Sequence, residues 1–490
     1  MSTVSVSRVK EFTYPKLPPY HPAENYPELA RFSQIARSDE QNVVYEGLRE
    51  IFRLQGYDAD RAGTQSWNPL GWLVKPGETV FLKPNMIAEK HKLRPDWDYV
   101  ITHGSLVRAV IDYVYIALEG KGRIIIGDSP QTDSDFGKIA EHMGLQEMKD
   151  HYSRTFGFDI EVIDLRDEFW VEKDGVHLQT IKLSGDPRGK VLFDLGPNSM
   201  FAELDPRGKR YYGAFYDVEE TNRHHANGKH EYSISRSAVE ADVFINIPKL
   251  KTHKKCGLTV NLKGLVGINA DKNLLPHYAF GSPATGGDQF DREDAATKLE
   301  NSMVQFAKQV LLRRNPLAQR VARSAKKLAY RVFGDTEKVI RSGNWHGNDT
   351  VWRMCLDLNR ILFYGLPNGS LDPARPKKKY FSVVDGIVAM EGNGPVAGDR
   401  KEAGLLIAGE NPVAVDLVCA KIMGFDYRKT PLLLHAADPH AFALFDQAPE
   451  RITVASNVSA WNKSLGGWQR GDNLKFKPHF GWAGHIEEEH

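Results

Sequence analysis

Residues 246–268 read NIPKLKTHKKCGLTVNLKGLVGI and carry five lysines, one histidine and one cysteine between two apolar patches. Lysines at the end of a buried strand, together with backbone N–H groups at a helix start, bind phosphates or carboxylates. Lys249, Lys251 and His253 follow the apolar run ADVFINIP, and Gly257, Thr259 and Lys263 come next. Three other clusters also sit just after an apolar run: Lys83 with Asn85, Asp128 with Ser129 and Gln131, and Asp385 with Glu391. Any one of these is an ordinary loop charge. Four on one predicted sheet edge point to a shared cleft for an anionic ligand. In that cleft Lys83, Lys249, Lys251 and Lys263 are candidate anion anchors, and His253 and Asp128 line it with them. If His277, in NLLPHYAFG, faces the same cleft as His253, Asp288 and Asp385, that cleft should bind a divalent ion.

The elements that must position these groups alternate along the chain. ETVFLKPN (78–85), GRIIIGDSP (122–130), ADVFINIP (241–248) and YFSVVDG (380–386) are rich in β-branched and aromatic residues, as strands buried on both faces are. HGSLVRAVIDYVYIALEG (103–120) predicts an amphipathic helix with Ser105 near its start and Gly120 at its end, and DFGKIAEHMG (135–144) predicts another. GLLIAGENPVAVDLVCAKIMG (404–424) adds a strand and a helix. The expected fold is therefore α/β, with parallel sheets and helices on both faces. Short polar strands such as KVLFDL and GAFYDV predict a β-rich insertion near 146–235. The expected organisation is an N-terminal arm (1–70) with one helix near 39–54, a main α/β domain (71–300), a basic helical segment (301–345), a second α/β portion (346–460) and a C-terminal tail (461–490).

Composition narrows the partners. With 490 residues, 41% hydrophobic and 26% charged, the chain can bury a substantial core. Lys plus Arg (64) nearly equals Asp plus Glu (63), so global charge gives no argument for nucleic acid, and an anion site must be local. The N-terminus lacks the apolar core of a signal peptide, and no run approaches the roughly 18 apolar residues of a membrane helix. A cytoplasmic location is expected. Cys256, Cys355 and Cys419 are far apart and form no CxxC, which argues against an iron–sulfur cluster and a cysteine-rich zinc site. Cys256 reads as a packing residue. His224, His225 and His230 in RHHANGKH fit a polar turn or a metal site in a loop; EGNGPVAGD (391–399) fits a turn or a close backbone approach to a ligand. GGDQFDRED (286–294) groups acids that cap a helix or hold a divalent ion. Between Lys308 and Arg341 ten Lys or Arg face only Asp335 and Glu337, on helical apolar spacing broken by Pro316. Such a segment suits a peripheral contact with anionic lipid or a lipid-linked phosphate.

KPNMI, GDSP, ADVFINIPKLKTHKKCGLTVNLKGLVGI, VVDGIVAMEGNGPVAG and NPVAVDLVCAKIMG, in this order over roughly residues 75–430, closely resemble the motifs of the uncharacterised family called domain of unknown function 362. A weaker resemblance is to lactate racemase and its relatives, which use a nickel-pincer nucleotide. It implies a proton-transfer role for His253, a glycine-rich turn at Gly257 and Thr259, cofactor anchoring by Lys263 and nickel ligation by His277. The racemases place a second catalytic histidine where this chain has Asp128 and Ser129. Two functional classes follow. One is an enzyme that moves a proton on a small hydroxy acid, sugar acid or phosphorylated sugar, by metal-assisted isomerisation or epimerisation. The other is a noncatalytic anion-binding or assembly protein, for instance in glycan or cell-envelope metabolism.

Overall fold

The computed structural model describes residues 2–30, 41–173, 176–204, 211–213, 217–293, 339–374 and 378–488. Most of the basic segment, 308–338, lies outside them. The strands in chain order are β1 (Thr3–Arg8), β2 (Thr79–Pro84), β3 (Arg123–Asp128), β4 (Ile160–Asp164), β5 (Glu168–Lys173), β6 (Val176–Lys182), β7 (Lys190–Asp194) and β8 (Tyr211–Gly213). They continue with β9 (Glu231–Ser235), β10 (Val243–Ile247), β11 (Lys249–His253), β12 (Gly257–Thr259), β13 (Pro276–Ala279), β14 (Lys379–Glu391), β15 (Asp399–Gly409) and β16 (Thr453–Ser456). The helices are α1 (Val43–Gln55), α2 (Gly104–Leu118), α3 (Phe136–His142), α4 (Leu145–Phe156), α5 (Val218–His224), α6 (Arg236–Glu240), α7 (Asn261–Gly264), α8 (Val351–Tyr364), α9 (Pro412–Met423) and α10 (Pro431–Leu434), with short turns of 3-10 helix between them.

One sheet dominates, in the order β16-β1-β15-β14-β10-β2-β3-β4, and the hairpin of β11 and β12 is attached to β14. From β14 to β4 all neighbours are parallel, and β15 is reversed between β14 and β1. The α/β expectation is met. Alternation along the strands divides the core by face. Phe81, Ile125 and Phe244 pack towards α8 and α9, whereas Val80, Leu82, Ile124, Ile126, Val243 and Ile245 pack towards α1 and α2. Phe81 and Phe244 stack across β2 and β10 at 5.4 Å between ring centroids. The insertion contributes α4, the β5–β6 hairpin, the β7–β9 pair, and β8, which pairs with β13.

Several elements differ from expectation. The arm supplies not only α1 but also β1, whose alternating TVSVSR fills the sheet between β15 and β16. Helix α2 is covered all round except at Tyr115 rather than amphipathic. It accommodates this because Asp112 accepts from Arg108, Tyr45 and Tyr152, which satisfies its buried charge. Its N-cap is the His103 side chain, which accepts from Ser105 N. GAFYDV is not one strand: β8 ends at Gly213 and Asp217 caps α5. Most important for the site, the chain does not leave the sheet at Pro248. That proline offers no N–H, its carbonyl accepts from Asp385 N at 2.8 Å, and the chain resumes as β11 against the second half of β14.

Candidate functional site

A cavity of about 540 Å³ opens at the carboxyl ends of β2 and β3, between the β11–β12 hairpin, α7 and β13. Six lysines line it (Lys83, Lys251, Lys254, Lys255, Lys263 and Lys272), against two carboxylates, Asp128 and Asp133. His253, Thr259 and His277 complete the polar wall, with Ile87, Val266, Leu275, Tyr278 and Pro395 between them.

The parallel neighbours β2 and β3 end side by side, which brings Lys83 Nζ within 2.8 Å of Asp128 Oδ1. Asp128 Oδ1 also accepts from Ser129 N at 3.0 Å, and Oδ2 from Met86 N at 2.7 Å. Both carboxylate oxygens are thus committed, so Asp128 holds Lys83 in place and is not the free base its strand-end position suggests. The chain at Gly267 runs directly over this pair. A β-carbon there would fall 1.8 Å from Asp128 Oδ1 and 2.8 Å from Lys83 Nζ, so the close approach requires glycine.

Among the described residues Lys251, Lys263 and Lys272 have no such carboxylate partner. Lys251 Nζ donates to Val100 O at 2.8 Å and, more weakly, to Pro395 O at 3.4 Å. Burial, followed by the repulsion of Lys263 and Lys249, pushes its pKa well below the ordinary lysine value. Lys272 Nζ donates to Ser129 O at 2.7 Å, and burial pushes its pKa down to about 7. Lys255 Nζ donates to Ser342 O at 2.6 Å and lies 4.7 Å from the Tyr278 ring centroid. Among the described residues the Lys263 ammonium has neither a hydrogen-bond nor an ion-pair partner, although the side chain is nearly buried.

Lys263 owes its position to two distant helices. Asp416 on α9 accepts from Asn261 N and Leu262 N, both at 2.9 Å, and so caps the first turn of α7. Asn359 on α8 donates to Leu262 O at 2.9 Å. Burial raises the Asp416 carboxyl to about 7, partly offset by these donors. Sequence reasoning missed Asp416, yet a signal was present: a lone acid in the apolar helix PVAVDLVCAKIM must find donors once it is buried.

The two histidines are held in opposite tautomers. His253 Nδ1 accepts from Lys255 N at 3.0 Å, which leaves the hydrogen on Nε2. His277 Nδ1 pairs with Leu275 O at 2.8 Å and must donate, since a carbonyl cannot; its Nε2 is a bare lone pair. Burial first, and Lys263 or Lys255 next, keep both imidazoles well below the usual histidine pKa, hence neutral.

Of the residues expected in the cleft, Lys83, Asp128, Lys251, His253, Thr259, Lys263 and His277 line the one cavity. Lys249 does not: it is sealed against Asp385, with Nζ 2.9 Å from Oδ2. Gly257 turns the hairpin at φ +79° and faces Trp482 and Ile486 instead. Asp288 is used locally, accepting from Ala279 N, Asp349 N and Thr350 Oγ1. The metal expectation for His277 therefore loses its two acids. Among the described residues no three His, Cys, Asp or Glu side chains converge as a metal set. His224 pairs with Glu220 and Glu231, while His225 pairs with Leu274 O, which divides the RHHANGKH histidines. Cys256 is buried, with its thiol pushed well above the ordinary value by burial. The cavity lysines Lys254, Lys255 and Lys272 were not foreseen.

The family described as "Domain of unknown function (DUF362)" matches residues 80–188 and 204–421, and the chain belongs to that family. A thylakoid-associated protein of Synechocystis sp. is 23% identical over 390 residues, covering 78% of this chain and 76% of the other. A crystal structure of a Thermotoga maritima protein aligns at 10% identity and a TM-score of 0.30, over 76% of this chain and a little over half (57%) of that one. Among the described residues no helix is long and apolar enough to cross a membrane.

Proposed function

We propose that the chain is an enzyme that binds a small anionic substrate in the lysine-lined cavity and moves a proton on one of its carbons, as in isomerisation or epimerisation. The substrate class is a hydroxy acid, a sugar acid or a phosphorylated sugar. One observation carries the reading: the cavity presents a bare imidazole nitrogen, His277 Nε2, and an imidazole N–H, His253 Nε2, to the same space among cations. A neutral imidazole with a free lone pair accepts a proton from carbon. The Lys263 ammonium and the His253 N–H then stabilise the oxyanion that develops on the neighbouring carbonyl. This assigns His277, read from sequence as a metal ligand, the role of base, and His253, read from sequence as a proton-transfer group, that of hydrogen-bond donor.

The nickel-pincer pattern fits this cavity only in part. Lys263 would anchor such a group and His277 would ligate its metal, but His253 carries its hydrogen on Nε2 and is not the base that pattern requires. The proposed proton transfer passes through protein groups alone. A noncatalytic anion-binding protein would use the same cations, but it gives no reason for the bare nitrogen of His277.

The test is deuterium incorporation from D₂O, followed by NMR, into a panel of hydroxy acids, sugar acids and sugar phosphates. The expected result is exchange at carbon by the wild type and a loss of at least about 100-fold in His277→Ala. Thermal stabilisation by phosphate should survive in that variant. Exchange by His277→Ala at the wild-type rate would remove the base, and no exchange in any compound would leave the noncatalytic reading. The ten cations of 308–341, with a relative described as thylakoid-associated, support a peripheral contact with anionic lipid as well. Flotation with phosphatidylglycerol vesicles but not with phosphatidylcholine vesicles is the expected outcome, and equal recovery with both would dismiss the contact.

A further inference from the structure

We infer that the ligand of this cavity carries at least two separate anionic groups on one small molecule, of the diphosphate, bisphosphate or phospho-carboxylate kind. The inference deepens the proposal above and rests on it only for the location of the site. Its basis is the way the cations are distributed. Lys272 stands at the end of β3, where its Nζ donates to Ser129 O at 2.7 Å. Lys251 stands on the hairpin, its Cα paired in register with Thr259, and its Nζ donates to Val100 O at 2.8 Å on another wall. Each ammonium is fixed by neutral oxygens of a different chain segment, so the two cannot collapse onto one point. Lys263, on α7, adds a third cation without a carboxylate.

Two hydroxyls mark the same two places. Ser129 Oγ and Thr259 Oγ1 belong to cavity-lining residues that are 3% and 5% exposed, and neither oxygen has a hydrogen-bond partner. A buried hydroxyl without a partner is costly unless something supplies the missing bond. One anionic group beside Ser129 and Lys272, and a second beside Thr259, Lys251 and Lys263, gives both hydroxyls a partner and each of the three lysines a counter-charge. A single phosphate meets one set and leaves the other hydroxyl unpartnered and its lysine without a counter-charge where water screens poorly.

A consequence is proton uptake on binding. Lys272 faces Asp128, Arg166, Lys263 and Lys83; Lys251 faces Lys263, Lys249, Asp128 and Lys83. In both, burial and the neighbouring cations outweigh Asp128 and lower the pKa. A polyanion reverses that balance, so both lysines gain protons when it binds.

The experiment is calorimetry on the full chain at pH 8, with EDTA present, in HEPES and in Tris, using inorganic phosphate, pyrophosphate and 3-phosphoglycerate as probes. Pyrophosphate and 3-phosphoglycerate should bind at least about tenfold more tightly than phosphate. The heats in the two buffers should differ in the sense of proton uptake. Lys272→Met should bring the preference to within about threefold and reduce the uptake, and Ser129→Ala should weaken pyrophosphate and 3-phosphoglycerate, which carry two anionic groups, more than phosphate. Lys272→Gln is the second variant, with circular dichroism showing that either form is folded. Phosphate and pyrophosphate binding equally, or no probe binding at millimolar concentration, would overturn the inference. Failure of deuterium exchange leaves these binding ratios untouched, so the two ideas fail separately.

Discussion

Lys249 and Lys263 leave the same stretch of sequence, 14 residues apart, and both end up nearly without solvent contact. Their environments are opposite. Lys249 lies opposite Asp385 in the parallel pairing of β11 with β14, and its Nζ reaches Asp385 Oδ2 at 2.9 Å, Tyr14 Oη at 3.0 Å and Val388 O at 3.2 Å. Tyr14 donates to Asp385 as well and stacks on His103 at 4.1 Å, so the N-terminal arm closes the pair off. Lys263 has no carboxylate and opens into a cavity shared with five other lysines. What distinguishes a cation that serves the fold from one that serves a ligand is thus the partner that strand register places beside it. The type of residue is the same in both.

The largest expected effect breaks the sealed side. Lys249→Met leaves Asp385 buried with Tyr14 and His103 N but no cation, and should cost about 3–5 kcal/mol of stability in chemical denaturation. Asp385→Leu should do likewise by stranding Lys249. The double variant should be more stable than either single one, because an apolar pair replaces a buried ion pair without a lone charge. Additive losses in the double variant would show that the pair acts through something other than charge.

The fold was legible where burial on both faces writes a continuous apolar run, as in Arg123–Asp128 and Val243–Ile247. It was not legible in β1, where serines alternate with valines, or in β11, where two lysines and a histidine form a fully covered strand. Strand ends gave most of the cavity, since Lys83, Asp128, Lys251, His253 and Lys263 all meet there. Pairing is long-range information: nothing local to Lys249 announces Asp385, 136 residues away. Tautomers are equally out of reach, because each depends on a backbone group two residues off in a turn of particular shape.

A middle-sized effect connects the two sides. Gly267→Ala places a methyl 1.8 Å from Asp128 Oδ1 and forces the Lys83–Asp128 pair or the overlying chain to move. The expected cost is about 1–3 kcal/mol of stability, together with loss of phosphate-dependent thermal stabilisation. Unchanged stabilisation would mean that this buried pair, like Lys249–Asp385, belongs to the fold alone.

Acid should also weaken the sealed side. Burial holds His103 down to about 4, against the pull of Asp98 and Asp385 and with the help of Lys249. The folded state therefore binds fewer protons than the unfolded state between pH 6.5 and 4, so stability contributed by neutral His103 is full above pH 6.5 and falls as pH falls through that window. At pH 5.5 the loss from one such histidine is about 1 kcal/mol. His225, held down to about 3 by burial, behaves in the same sense, so the informative quantity is a difference between proteins. His103→Asn keeps an N-cap residue and should narrow the stability gap between pH 7 and pH 5.5 by about 1 kcal/mol. An unchanged gap would show that His103 does not resist protonation.

The smallest expected change in stability belongs to Lys263, and there it is the smallness that tests the comparison. Deleting a cation that no carboxylate neutralises leaves no stranded partner, and it relieves repulsion on Lys251, His253 and Lys272, whose lowered pKa values all include Lys263 among their causes. Methionine keeps the apolar stem and the helix propensity of α7, and the cap from Asp416 reaches Asn261 N and Leu262 N whatever the side chain at 263. Lys263→Met should therefore shift stability by no more than about 0.5 kcal/mol in either direction, while phosphate or a sugar acid raises its melting temperature far less than that of the wild type. A loss of several kcal/mol would place Lys263 with Lys249 as a structural cation. Equal stabilisation of both proteins by the anion would deny it the ligand, and the cavity would then have to bind through its other lysines.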